Sequence, residues 1–473
     1  MAQEVPIALT NKTNPARFRS GGTAELVNCY AEAIGDEGKV QWCLVASDGL
    51  EGFARLDGAN GPIRAMLEVD GTLWVVVGTS ARLYRITSTG VVTDIGALSG
   101  FDSTGPVYMA RNRRSTPDIA IVNNGLMFYY RTTLAQVTDV DLLAPTSLAV
   151  NDGQFIIGTA NNTWQVGEID DASAWDGLSF ERADASPDAV VRVFARQGEA
   201  LIFGELTTEY WTNAGLADGT GYQRTEVSEF GCLAPQSVQT VAGVVYFVAH
   251  DRTVRAISGY APQRISTHAI ERQIETLADY DSITSATWVR DGHSFYVINS
   301  AEWTFAYDTS TGTWHTRRSY GNASWNIGTT VTAFGKTLVG SSTEPVIYEM
   351  GPQFFSDAGQ PLVMQATLPA LVRPGKEITI HKVWLDLERG VGTGQGDSQD
   401  VDPEVILEWS LDGGATFTGS RVLKLGEQGR RTTEIETYRL GQCLGQGFVF
   451  RLTCSARVAR CIYQVMAEID IDD

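Results

Sequence analysis

The stretch LEVDGTLWVVVG (Leu67–Gly78) reads as a strand, a tight turn at Asp70-Gly71 and a second strand. The same unit recurs as AVNDGQFIIGT (Ala149–Thr159), FARQGEALIFGE (Phe194–Glu205), TVAGVVYFVA (Thr240–Ala249), WVRDGHSFYVIN (Trp288–Asn299) and VTAFGKTLVGS (Val331–Ser341). A weaker copy, PDIAIVNNGLMFYY (Pro117–Tyr130), fills the gap between the first two. The period is about 45 residues in an all-β pattern, which predicts a β-propeller of about seven blades. Poor patterning over Asp102–Tyr130 leaves six open. Leu73, Val75 and Val77 alternate with Trp74 and Val76, so both faces are apolar and each inner strand is expected between two neighbouring blades.

Around the repeats the 473 residues divide into three expected domains. Residues 1–60 are rich in Gly, Asn and Pro and read as an N-terminal arm with ring-closing or inter-subunit strands. A terminal strand that completes the last blade would remove an open edge. Residues 61–350 carry the propeller, and residues 351–473 hold about six further strands, read as a C-terminal β-sandwich. One helix is predicted, with Ile270, Ile274 and Leu277 on one face and Ser266 or Thr267 as N-cap, in a connection between blades. Gly390–Asp402 reads as an exposed loop with no helix after its glycines.

The formal net charge is −20, from 36 basic and 56 acidic residues. That balance opposes avid non-specific binding of nucleic acid and suits a wall past which DNA slides. Cysteines 29, 43, 232, 443, 454 and 461 form no CxxC pair and read as reduced and mostly buried. Cys454 and Cys461 are candidates for neighbours in adjacent strands. MAQEVPIALTNK has neither the basic nor the apolar region of a signal peptide, and the longest apolar runs are only strand length, so no membrane insertion by this chain is expected.

Catalytic patterns are missing. HExxH, GxSxG and GxxxxGK[ST] do not occur, the five histidines lie at no ligand spacing, and His293 reads as structural. Ser410-Leu-Asp412-Gly413-Gly414-Ala-Thr416-Phe417 resembles the Asp-box of sialidase-type propellers and is read as a hairpin turn. No catalytic, cofactor or metal residues are assigned. Three basic clusters, Arg111/Arg113/Arg114, Arg317/Arg318 and Arg430/Arg431, are candidate contacts to acidic neighbour subunits or to DNA. The alternative is a glycan-binding or glycan-hydrolysing propeller. It would need an acid, a tyrosine and arginines converging on the central channel, or aromatic platforms such as Trp211, Trp303 and Trp325.

A family resemblance rests on an ordered series of motifs. It runs through Ile169–Val191, Leu201–Gly215, Gly231–Ile257, Ile265–Leu277, Asp291–Asn299 and Phe305–Arg317, with Asn28–Tyr30 and the terminal strands also similar. Read together, they resemble the packaged-DNA stabilisation protein, or tail hub and nozzle, of short-tailed bacteriophages. The resemblance implies a structural virion protein, made in the host bacterial cytoplasm and placed in the virion tail. It implies a homo-oligomeric ring of six beneath a portal adaptor protein, extending the channel and retaining packaged double-stranded DNA without sequence-specific binding. It also implies docking of a tail fibre or tailspike and of a tail plug or needle. It implies no enzymatic residue and no cofactor.

Overall fold

The computed structural model describes residues 3–18, 21–216 and 219–472. Seven four-stranded antiparallel units follow one another, five as separate sheets and two as parts of larger ones. Six are continuous in sequence, over residues 63–97, 108–136, 147–182, 190–228, 239–264 and 284–316. In the seventh, Ile327–Ala333, Lys336–Ser341 and Val346–Gly351 are joined by Gly49–Arg55 from near the N-terminus. These sheets are the blades of a β-propeller, numbered 1 to 7 in that order. The first strands lie nearest the axis, side by side from blade 5 through 6, 7, 1, 2 and 3 to blade 4.

The repeating turn has a physical cause. In six blades the first two strands are joined by a two-residue turn with both φ values positive, as at Asp70 (48°) and Gly71 (74°) or Phe334 (56°) and Gly335 (72°). Such turns match the right-handed twist of the flanking strands, and glycine supplies the second position without strain. Blade 2 differs. Its Asn124-Gly125 turn joins the second and third strands, and its first strand is the short Tyr108–Arg111. The weak copy is thus the same hairpin displaced outward by one strand.

Each junction between consecutive blades holds its own apolar cluster. Leu73, Val75 and Val77 pack with Leu338 and Ile347 of blade 7, whereas Trp74 and Val76 pack with Ile121 and Phe128 of blade 2. Five further clusters fill the interfaces from blade 2 round to blade 7. Burial on both faces is what a strand inside a propeller requires.

Residues 1–60, expected as an arm, are divided between two structures. Gly49–Arg55 closes blade 7, with Leu50 opposite Met350. The earlier strands enter a two-sheet unit with the C-terminal residues. Cys29–Ala33 and Trp42–Ala46 lie in a sheet with Cys461–Asp472, Glu377–Leu387 and residues 436–444, and Gln3–Ile7 also pairs with Cys461–Asp472. Glu25–Val27 lies in the facing sheet, beside Met364–Thr367, Val449–Cys454, Glu404–Ser410 and Gly419–Lys424. Strands of three to five residues are too short to stand alone. Leu26 and Leu44 instead join Val383, Leu407, Phe450 and Val465 in one shared core.

The two-sheet unit is continuous with the propeller. Glu25–Val27 pairs in parallel with Thr313–Thr316, the outer strand of blade 6, which gives one nine-stranded sheet. Helix His268–Glu275 connects blades 5 and 6 and buries Ala269, Ile270 and Ile274. Thr267 is its N-cap without a side-chain cap bond, and the Ser266 hydroxyl donates instead to Glu271 at 2.6 Å. Contrary to the loop reading, a one-turn helix, Ser398–Val401, follows the Gly-rich stretch. Five cysteines are buried and Cys461 is partly so, all as free thiols. Cys454 and Cys461 are not strand neighbours, because their strands lie in opposite sheets of the two-sheet unit. Among the described residues no helix is long and apolar enough to cross a membrane.

Candidate functional site

The three arginine clusters occupy different settings. Arg111, Arg113 and Arg114 lie at the end of the first strand of blade 2 and in the loop after it. Arg111 reaches Asp70 of blade 1 at 3.7 Å, and the Arg113 backbone N–H donates to Asp170 of blade 3 at 3.1 Å. Arg114 donates to the Asp170 carbonyl and lies 3.8 Å from Asp171. These side chains are engaged in linking three blades of one chain. Arg430 is largely exposed, with Glu427 at 3.8 Å, and Arg431 beside it is also exposed. The Arg430/Arg431 pair stays available to another molecule.

Arg317 is no surface contact, for it is only 1% exposed. Its guanidinium lies 3.8 Å from the centroid of the Trp325 ring and donates to the Asp48 carbonyl at 3.1 Å. Burial pulls its pKa down to about 10, against the opposing fields of Asp357 and Asp48. Arg318 is half exposed and pairs with Glu25 at 2.6 Å. Its backbone N–H donates to the Asn28 side chain at 3.0 Å, and the Asn28 amide donates to the carbonyls of Arg318 and Val363. Asn28 has φ 52°, a region Asn tolerates better than most residues. It fastens blade 6 to the two-sheet unit.

Histidines and acids gather at the same junction. His293 Nδ1 lies 2.7 Å from Asp308 and 3.1 Å from the Ser310 hydroxyl, and its ring is edge-on to Tyr30 at 5.0 Å. Serine and carboxylate meet the same ring nitrogen, so no proton can be relayed across the imidazole as a nucleophilic triad needs. His315 is buried beside Tyr30 and Phe295, and desolvation, then the charge of Arg317, pushes its pKa down to about 3. The Asp-box is a hairpin turn. Asp412 accepts from the Thr416 N–H and hydroxyl, and Ser410 caps Gly414, with the Asp412 carboxyl held well below the usual range by these bonds.

The propeller axis holds a cavity of about 230 Å³, walled by the first strands of the blades. Arg64, Tyr108, Arg192, Gln239, Thr284 and Thr329 line it. β-Bulges between Ile63 and Ala65, Val190 and Arg192, and Ile327 and Thr329 re-aim the strand starts there. Arg64 is matched by Asp102 at 3.0 Å and by two carbonyls, at Asp102 and Gly105. No carboxylate appears among the described residues that line the cavity, so the acid–tyrosine–arginine set of a glycosidase does not assemble. Trp211, Trp303 and Trp325 are 7%, 4% and 1% exposed and pack in inter-blade cores rather than forming platforms. No group of three metal-ligating side chains occurs among the described residues. The sequence reading missed Arg64, Tyr108 and Arg192. The available signal was a lone cation in an otherwise apolar strand start, IRAMLEV (Ile63–Val69) and VVRVFAR (Val190–Arg196).

Fold and site define a β-propeller with a fused two-sheet unit, joined at the corner that Asn28, Arg317 and Tyr30 fill. The chain belongs to the phage-stabilisation family described as "Bacteriophage P22 Gp10, beta-propeller", which matches residues 18–354. It is a phage structural protein of the DNA-stabilisation class. No curated protein matches the sequence. Among solved structures, similar folds include virginiamycin B lyase from Staphylococcus aureus, at 10% identity and TM-score 0.46, with 64% of this chain and 99% of that one covered. The WD40 propeller domain of Doa1 gives 12% identity and TM-score 0.41, with 64% and 97% covered. A designed protein, Ika8, gives 13% and 0.37, with 63% and 99% covered. These likenesses carry no chemistry to this chain.

Proposed function

We propose that this protein is the hub or nozzle of a short phage tail. It forms a homo-oligomeric ring, of six copies, that extends the portal–adaptor channel and retains packaged double-stranded DNA. The observation that carries this reading is the family match, which spans the whole propeller. The physics is compatible. A propeller whose every blade junction is filled is a stiff wall element. Closed rings need head-to-tail contacts between two different surfaces of one chain. The two-sheet unit and the propeller rim supply two such surfaces, and the exposed Arg430/Arg431 pair offers cations to an acidic neighbour. A net charge of −20 keeps passing DNA from adhering. We assign no enzymatic activity. Portal adaptor, fibre or tailspike, and plug or needle are the proposed docking partners. The functional division is the propeller, residues 61–350 with the closing strand, and the terminal sandwich, residues 351–473 with the N-terminal strands.

The test is electron cryo-microscopy of the purified protein alone and mixed with a portal–adaptor assembly. A closed ring seated coaxially below the adaptor is the expected result. A monomer that stays unbound at saturating adaptor would overturn the hub reading.

A further inference from the structure

Arg192 is the anomaly of this molecule. It is 9% exposed, and no carboxylate lies within ion-pair distance of it among the described residues. Its Nη1 donates to the Pro235 carbonyl at 2.7 Å, while Nε is buried with no acceptor. The guanidinium lies over the Tyr108 ring, 4.3 Å from its centroid. The Tyr108 hydroxyl, also buried, makes no hydrogen bond of normal geometry. A buried charge without a counter-charge is costly, and orphaned buried donors point to a missing partner.

Two other arginines are buried without an ion pair, and their settings differ. Arg317 feels Asp48 and Asp357 across the junction. Arg460 donates to the Leu362 and Cys454 carbonyls but leaves Nε and Nη2 without acceptors; it borders a cavity of only about 20 Å³, room for no more than a water. Arg192 borders about 230 Å³. Around that space the side-chain amides of Gln236 and Gln239 and the hydroxyls of Thr284 and Thr329 also lack partners within the described chain. Arg64, the other cation, is already neutralised by Asp102. One unmatched positive charge with neutral polar groups facing the same axial cavity fits a small oxyanion.

We propose that the propeller axis is a binding site for a small oxyanion, a phosphate or a carboxylate, with Arg192 as its charge partner and Tyr108, Gln239, Thr284 and Thr329 as neutral donors. One anion binds per chain. It supplies the counter-charge that the chain itself omits and ties the first strands of several blades together across the axis.

The experiment uses the full chain, titrated calorimetrically with inorganic phosphate and separately with acetate, against sodium chloride at matched ionic strength. Saturable one-to-one binding of phosphate, of acetate or of both is expected, and which of them binds identifies the class of anion. Arg192→Gln is expected to weaken binding at least tenfold, and Tyr108→Phe several-fold. Phosphate also stabilises proteins generally by exclusion from their surfaces, so a rise in Tm counts only if Arg192→Gln abolishes it. The proposal is overturned if neither anion binds saturably, or if Arg192→Gln binds equally well. Should Arg192→Gln not fold, the pair Tyr108→Phe and Gln239→Leu decides. Unchanged affinity in both overturns the site.

Discussion

At the scale of single residues, burial gives His315 a measurable signature. Its imidazole has a folded-state pKa of about 3, against about 6.5 in an unfolded chain. Below about pH 6.5 the unfolded chain takes up a proton that the folded one refuses. Stability therefore falls by about 1.4 kcal/mol per unit as pH drops toward 3. Urea unfolding at pH 6.5 and 4.5, compared between wild type and His315→Phe, separates this loss from that of the carboxylates. The wild type should lose about 2–3 kcal/mol over that interval, and His315→Phe should lose much less. An equal loss in both would assign the acid sensitivity elsewhere. The arginines make a second contrast. Arg317→Ala removes a buried cation from the face of Trp325 and strands the carbonyl of Asp48, for an expected loss of about 2–4 kcal/mol. Arg430→Ala and Arg431→Ala, on exposed side chains, should stay within about 0.5 kcal/mol in the same chemical denaturation. From sequence the three clusters looked alike, because a run of arginines carries no record of which ring stacks beneath it.

At the scale of elements, ring closure depends on Gly49–Arg55. A Cβ at Gly49 would lie 2.3 Å from the Phe354 carbonyl oxygen and 2.5 Å from that of Ser356, both backbone atoms. At Gly52, in the same strand, nothing lies within 4 Å. Gly49→Ala should therefore lower stability by about 2 kcal/mol or more, and Gly52→Ala should be neutral or slightly stabilising. Thermal unfolding of the two variants side by side checks this, and an equal response would remove the steric argument. Elements were also where the sequence was most legible. The XG hairpin turns and the apolar alternation around Trp74 exposed the repeated blades, because each copy obeys the same local rule. Blade 2 was obscured because its Asn124-Gly125 turn sits one strand further out, so its axial strand Tyr108–Arg111 had no turn to mark it. The ring-closing strand fell within residues 1–60 as expected, but the partners of the earlier strands were illegible for another reason. Glu25–Val27 finds its partners at Gln365 and Thr316, roughly three hundred residues away, and nothing local records such a pairing.

At the scale of the whole molecule, the joints between the two parts of the chain decide how it yields. The chain passes first through the two-sheet unit, gives one strand to blade 7, makes blades 1 to 6 and the other three strands of blade 7, and returns to the two-sheet unit. One sheet runs unbroken from blade 6 through Glu25–Val27 into that unit, and Asn28, Arg317 and Tyr30 fill the corner. Loss of the terminal unit would free Gly49–Arg55 and open the propeller beside blade 7. Opening of the propeller would in turn free the strands on which the terminal unit is built. Two parts with such mutual dependence should unfold together, although 473 residues ordinarily melt as several domains. Differential scanning calorimetry of the full chain should give one transition, with calorimetric and van't Hoff enthalpies in agreement. Two resolved transitions would show that the shared strands do not couple the parts. A phage structural protein with this architecture would pass a pull on its terminal unit directly into the propeller wall, because the two parts share strands.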